Sequence, residues 1–255
     1  MVKDEADVIG GTLAHLADEV DFLLVADNAS TDGTREILAE LEDQLPLTVI
    51  DDPDPAYYQS RKMSDLAERA AGAGADWIVP FDADELWFTH TKPIAKVLDG
   101  IRAPLVRANL FDHRPSAIDV DDTDPFRSIV WREPKPAGLP KVAFRWEPGA
   151  VIHQGNHGVT LPSRSSLGPY LIEIRHFPYR SAEQFVRKAR NGAAAYRATD
   201  LPVTEGAHWR QYGDLLDRFG EPALEEVFRT WFWNLAPVEA GLINDPAPYR
   251  RWLPS

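Results

Sequence analysis

Apolar positions in the first hundred residues follow two alternating periods. Ile9, Leu13, Leu16 and Val20 recur at spacings of four, three and four, one face of a helix over residues 4–20. Phe22 to Ala26 is a short unbroken apolar run, the pattern of a strand covered on both faces, and it ends in Asp27 and Asn28. "STDGTREILAELEDQL" then opens with residues that cap helices. Ser30, Thr31 or Asp32 can accept from the first free amides, and Ile37, Leu38 and Leu41 give the segment one apolar side. "LTVIDD" reads as the next strand and again ends in acid. Residues 56–73 predict a helix with Met63, Leu66 and Ala70 on one side, and "WIVPF" a further strand with Asp82 at its end.

Strand and helix in alternation predict an α/β fold, a mixed, mainly parallel sheet flanked by helices. Such sheets bind ligands beyond the carboxyl ends of their strands. Asp27, Asn28, Asp51, Asp52, Asp82 and Asp84 all fall at those ends and are expected to share one rim. A sheet of this kind normally opens on a strand. Here the chain starts at or just inside the end of one, so the first strand is either upstream of Met1 or vestigial.

The remainder has a different texture. "APLVRANLF", "SIVWRE", "KVAFRW", "AVIHQ" and "LIEIRHF" are short β-prone runs parted by Pro, Gly and Asp, which predicts mixed or antiparallel strands and long loops. From residue 181 the pattern turns helical. Ser181 and Gln184 have capping-box spacing, and Phe185, Ala189 and Tyr196 continue that helix. Tyr212, Leu215, Leu216 and Phe219 mark a second, stopped by Gly220 and Pro222; Leu224, Val227, Phe228, Trp231 and Leu235 mark a third. The expected division is 1–112, 113–180 and 181–255, the last a C-terminal helical tail, within one compact domain.

Composition narrows the class. A chain of 255 residues, 44% of them hydrophobic, can bury a substantial core. Zero cysteines exclude disulfides and thiolate metal sites and suit a cytoplasmic location. The acidic N-terminus lacks the basic-then-apolar order of a signal peptide, and no apolar run reaches the roughly 18 residues of a transmembrane segment. A net charge of -13 argues against a nucleic-acid partner. The charge is uneven: residues 1–125 carry 10 basic and 27 acidic side chains, whereas residues 126–200 carry 12 and 5. The two parts either face each other across a ligand-binding cleft or complement each other as packed layers.

"WIVPFDADELWF" concentrates the chemistry. In an extended segment Asp82 and Asp84 point the same way and could share one cation, leaving positions for water and phosphate oxygens. Such an ion suits a reaction in which a diphosphate leaves. Three readings fit. The acids are solvated and hold nothing. Or the chain is a phosphatase of the haloacid-dehalogenase type with Asp82 as nucleophile, although Glu85 stands where that motif has Thr or Val. Or it is a nucleotide-sugar transferase.

"MVKDEADVI", "VADNASTDGT" and "WIVPFDADELW", in that order and spacing, resemble a family 2-type glycosyltransferase of GT-A (Rossmann-like) fold over about residues 1–112. "IRHFPYRSAEQFVRKARNG" resembles a late segment of one bacterial branch. The resemblance implies a nucleotide-sugar-binding half at 1–112, an acceptor-side half at 113–180, and metal-dependent sugar transfer from a UDP- or GDP-linked donor to a glycan or small-molecule acceptor. A non-catalytic sugar-nucleotide or glycan-binding module is the alternative from another class. Asp27 and Asn28 stand where the family contacts base and ribose, with Ser30 and Asp32 in the same loop. Arg61 and Arg180 are candidates to reach the donor. Asp82 and Asp84 match the pair that holds Mn²⁺ or Mg²⁺ and the diphosphate.

His176 follows a strand in an H-F dipeptide, the setting from which GT-A enzymes add a late histidine to the metal; neutral imidazole suits Mn²⁺. His157, between Gly155 and Gly158, lies in a stretch free to approach a ligand closely and is the candidate catalytic base or else a contact to the sugar. The aromatic stretch "VFRTWFWNLAP" either docks on the core or forms a contact face, with a homodimer as the expected partner.

Overall fold

The computed structural model describes residues 1–163 and 166–249. The first part alternates as its apolar periods require: α1 (Ile9–Ala17), β1 (Leu23–Asp27), α2 (Thr34–Glu42), β2 (Leu47–Asp51), α3 (Gln59–Gly72), β3 (Trp77–Ile78), β4 (Glu85–Phe88), α4 (Ile94–Asp99) and β5 (Leu105–Asp112). The middle is irregular, with α5 (Pro125–Ser128), β6 (Trp131–Arg132), β7 (Lys141–Arg145), β8 (Val151–Ile152), a 3₁₀ turn at Gln154–Asn156, β9 (Val159–Thr160) and β10 (Ile172–His176). The helices α6 (Ala182–Arg197), α7 (Ala207–Phe219) and α8 (Glu221–Trp231) follow, and β11 (Ile243–Asn244) returns to pair with β6. Residues 250–255, the end of the expected helical tail, lie outside the described residues.

α1 is shorter than residues 4–20. Ahead of it the backbone turns at Asp4, whose φ is +53°, and Asp4 accepts from the amide of Thr31 at 2.7 Å. Ile9, Thr12, Leu13 and Leu16 form its buried face, against the same core as Leu23, Val25 and Leu38. β3 stops after two residues because Pro80 has no amide to donate to a ladder.

The sheet is mixed but not mainly parallel. β1 and β2 pair in parallel as a separate ribbon. The five-stranded sheet runs β3-β7-β5-β10-β4, and only β5 and β10 within it are parallel. β7 and β10 enter from the second part of the chain, and β7 runs against both its neighbours. Val2 bridges Asp27 in parallel, so the first residues lie along the free edge of β1. A cavity of about 670 Å³ lies between that edge and β3, lined chiefly by apolar side chains such as Leu23, Leu24, Leu66 and Ile78.

The helices α6, α7 and α8 form where the spacing expects them, but α8 ends at Trp231, which leaves Leu235 outside it, and β11 lies in the chain that follows. Ser181 caps α6, its hydroxyl accepting from the Gln184 amide at 3.1 Å, while the Gln184 side chain accepts from the Arg180 amide at 3.1 Å. Phe185, Val186 and Ala189 bury against Leu224 and Phe228 of α8. The aromatic stretch therefore divides: Phe228 docks on α6, and Trp231 stays 73% exposed. Among the described residues no helix is long and apolar enough to cross a membrane.

Candidate functional site

A second cavity, about 360 Å³, opens where the chain passes from β3 to β4. Asp84, His176, His157, Arg187, Lys188 and Trp209 stand around it. It joins the two parts of the molecule: the acids come from the first hundred residues, and the cations from β7 and α6 together with Lys3. Of the two cavities only this one combines carboxylates, histidines and cationic side chains in its wall.

The acidic motif is a turn and not an extended strand, the Glu85 amide donating to the Asp82 carbonyl at 3.2 Å. Asp82 and Asp84 therefore aim at different partners. Lys141 donates to Asp82 Oδ2 at 2.5 Å, and Asn156 donates to Oδ1 at 2.9 Å. Asp84 is ion-paired with Lys188 through Oδ2, and its Oδ1 faces His176 Nε2 at 3.7 Å. The other ring nitrogen of His176 donates to Asp112 Oδ1 at 2.7 Å. His176 and Asp112 are register partners on β10 and β5, which is why two side chains 64 positions apart meet.

Electrostatics follow from burial and pairing. Burial alone would raise the Asp84 carboxyl; Lys188, His176 and Arg180 outweigh it and hold it well below the usual range. Burial works against the charge of Lys141, but Asp82 and Glu85 hold its ammonium on. Glu85 is raised, burial and then Asp82 working against Lys141. His157 is lowered, first by burial and then by Lys141. Its Nδ1 donates to the Pro140 carbonyl at 3.2 Å, which leaves Nε2 as the nitrogen with a lone pair.

The remaining sequence candidates have other neighbours. Asp27 is buried at the end of β1, accepting from the Ser30 amide at 3.2 Å and pairing with Arg35 at 3.2 Å. Asn28 lines the cavity and donates to Asp52 Oδ2 at 2.9 Å and to the Asp54 carbonyl at 2.6 Å. Ser30 and Asp32 accept from the amides of Asp4 and Ala6, at 3.0 and 3.1 Å, and so pin the N-terminal turn. Arg61 is 60% exposed and pairs with Asp54 at 3.1 Å, outside the cavity wall. Arg180 is spent internally, on Glu5, on Asp7 at 2.6 Å and on the Phe177 carbonyl at 2.9 Å.

Among the wall or support residues that escape a reading of the sequence are Lys141, Asp112, Tyr57 and Trp209. Asp112 carried a usable signal, an apolar strand ending in acid, as at Asp27. Lys141 carried a weaker one, a lone cation opening the apolar run "KVAFRW". Nothing local marks Tyr57 or Trp209.

The donor set bears on a metal. Among the described residues no three His, Asp or Glu side chains converge as ligands. Asp84 and His176 do converge as a pair, and the Asp112 contact fixes the ring orientation as outer partners of metal-bound histidines do. Two protein ligands fit an ion that takes its other oxygens from phosphate and water.

Residues 1–113 match the model described as glycosyl transferase family 2. No curated protein matches the sequence at a significant level. Among solved structures the chain is similar to S. aureus TarS 1-349 in complex with UDP, at 11% identity over 86% of this chain and 71% of that one, with a TM-score of 0.37. It is similar also to the same protein in complex with UDP-GlcNAc, at 12% identity over 86% and 72%, with a TM-score of 0.38.

Proposed function

We propose that this chain, whose residues 1–113 carry the glycosyl transferase family 2 sequence, transfers a sugar from a nucleotide diphospho-sugar to an acceptor hydroxyl in the 360 Å³ cavity. The observation that carries the reading is the meeting of Asp84, His176 and Lys188 at one wall of that cavity. Asn28, beside Asp52 on the β1 side, is the candidate contact for base and ribose.

Asp84 and His176 would hold Mn²⁺ or Mg²⁺, which when bound neutralises charge developing on a leaving diphosphate. Lys188 and Arg187 project from α6 into the same space and add positive charge to the diphosphate's side. Lys188 is 24% exposed at its side chain and reaches Asp84, Glu5 and the Pro178 carbonyl, so it can exchange a carboxylate for a phosphate oxygen. His157 Nε2 is placed to take the acceptor proton; its lowered pKa keeps the ring neutral at neutral pH. α7 closes the cavity with Trp209, a flat surface for a sugar ring.

The phosphatase reading needs a free carboxylate at Asp82. Both of its oxygens are engaged, by Lys141 and Asn156, which disfavours a nucleophile there. The test is nucleoside diphosphate release from a panel of UDP- and GDP-sugars, with Mn²⁺, Mg²⁺ or chelator. Release that requires a divalent ion and is lost in Asp84→Asn supports the assignment. Binding without release by the native chain would assign it to the non-catalytic class.

A further inference from the structure

Lys141 opens β7 with its side chain 4% exposed. Its ammonium donates to Asp82 Oδ2 at 2.5 Å and to the Gly155 carbonyl at 2.8 Å, and it is ion-paired with Glu85 Oε1 at 2.9 Å. The carboxylates it joins have further donors, although the Asp82 side chain is 28% exposed and lines the cavity. Asp82 Oδ1 accepts from Asn156, which is fully buried, and Glu85 Oε2 accepts from the Asp82 amide at 3.1 Å and the Trp87 indole at 2.9 Å. Glu85 itself is completely buried.

Asp84 has a different partner. Lys188 comes from a helix, is partly exposed, and its two further acceptors, Glu5 and the Pro178 carbonyl, lie at 3.3 Å. Oδ1 of Asp84 faces His176 at 3.7 Å. Both lysines line the cavity, but Lys141 is built into the sheet with its side chain 4% exposed between two carboxylates, whereas Lys188 is 24% exposed with looser further contacts. Lys141 also grips a loop. Gly155, at φ +73°, packs against the His157 ring so closely that an added Cβ would lie 2.6 Å from it.

We propose that Lys141 is the resident cation of the acidic turn. It closes Asp82 and Glu85 into an internal ion triad and withholds both from any divalent ion. Asp84 is left as the ligating carboxylate of the turn. Through Gly155, Lys141 also positions the loop that presents His157. The proposal rests on the reading of the cavity given above and goes beyond it, since the D-x-D spacing alone would make Asp82 and Asp84 equal ligands.

The test uses the full chain and measures binding, not turnover. Mn²⁺ is titrated in the presence of a nucleoside diphosphate, followed by calorimetry or by the Mn²⁺ spin-resonance signal. Asp82→Asn keeps the Mn²⁺ dissociation constant within about threefold of native, and Asp84→Asn weakens it at least about tenfold. Lys141→Met frees Asp82 and tightens Mn²⁺ binding, a change that mere loss of structure cannot produce. Hydrogen exchange at residues 154–158 accelerates in Lys141→Met and stays native in Asp84→Asn. Should Lys141→Met not fold, Asp82→Asn against Asp84→Asn still decides. Equal loss of Mn²⁺ in those two variants overturns the proposal, as does native exchange of the loop without Lys141. A native chain that binds no Mn²⁺ overturns the ion assignment of the proposed function, and the exchange measurement then decides the role of Lys141.

Discussion

His176 stands between two carboxylates, Nδ1 donating to Asp112 at 2.7 Å and Nε2 facing Asp84 Oδ1 at 3.7 Å. The first contact fixes the tautomer and turns the second nitrogen toward the cavity. Asp112→Asn keeps the shape and an acceptor oxygen but removes the charge. Metal affinity is then expected to fall by about 10–100-fold, with the fold unchanged by circular dichroism. Asp84→Asn is expected to reduce nucleotide release by about 10²–10³-fold. Both are read from Mn²⁺ titrations and donor turnover on the same preparations. Native Mn²⁺ affinity in Asp112→Asn would count against His176 as a ligand.

His157 carries the pH prediction. Burial first and Lys141 second hold its imidazole below the ordinary value of 6.5. A base with a lowered pKa stays unprotonated through neutral pH and loses function only as pH falls through the lowered value. The acid limb of kcat/KM should therefore lie below 6.5, with no loss of base function on that side above it. His157→Gln is expected to cut transfer by about 10²–10⁴-fold and to abolish the limb. An acid limb that survives the substitution rules His157 out as the base.

The local half of this site was legible in the sequence and the non-local half was not. Ser181 and Gln184 announce the start of α6 because a capping box is written within four residues. The "DADE" turn stands out because three carboxylates after an apolar run need an explanation. Their partners lie far away: Lys141 is 59 positions from Asp82, and Lys188 is 104 from Asp84. Such pairs are set by strand order and by how α6 docks, which periodicity does not encode. Arg180 shows the same limit, since its close partners are Glu5 and Asp7 at the N-terminus, with Asp84 further off at 3.9 Å. The mixed or antiparallel strands expected in the irregular part are β7 and β10, but their places beside β3, β5 and β4 are not legible, because short apolar runs do not state their partners.

His113 couples stability to pH away from the cavity. Its ring is buried, stacks on Phe177 with centroids 4.3 Å apart, and donates from Nδ1 to the Ile129 carbonyl at 2.8 Å. Nε2 is buried with no partner among the described residues. Burial pushes this imidazole from 6.5 down to about 3. The folded pKa lies below the unfolded one, so the stability from keeping the ring neutral is complete above 6.5 and declines as pH falls toward about 3. Between pH 7 and 5 this group should remove about 2 kcal/mol. Urea unfolding of native protein and His113→Phe at both pH values tests it. The variant loses the Ile129 bond at both, and its decline with pH should be smaller by about that amount.

Two glycine-to-alanine substitutions should shift stability in opposite directions, which tests how tightly α7 is seated on α6. Gly213 is buried in α7, and an added Cβ would lie 2.6 Å from the Ala193 methyl and 2.9 Å from Arg197 Nη2. Alanine there gains about 1 kcal/mol of helix propensity but forces apart two helices already in contact, at about 1–3 kcal/mol, so the net sign is destabilising. Gly72 ends α3 with an ordinary φ, and nothing lies within 4 Å of where its Cβ would be. Gly72→Ala should therefore stabilise by about 0.5–1 kcal/mol. Thermal unfolding of the two variants side by side gives both signs. Because α7 also carries His208 and Trp209 into the cavity wall, Gly213→Ala should weaken binding in the cavity as well, whereas Gly72→Ala should leave it native. A Gly213→Ala protein as stable as the native one would mean that α7 sits further from α6 than the 2.6 Å contact requires.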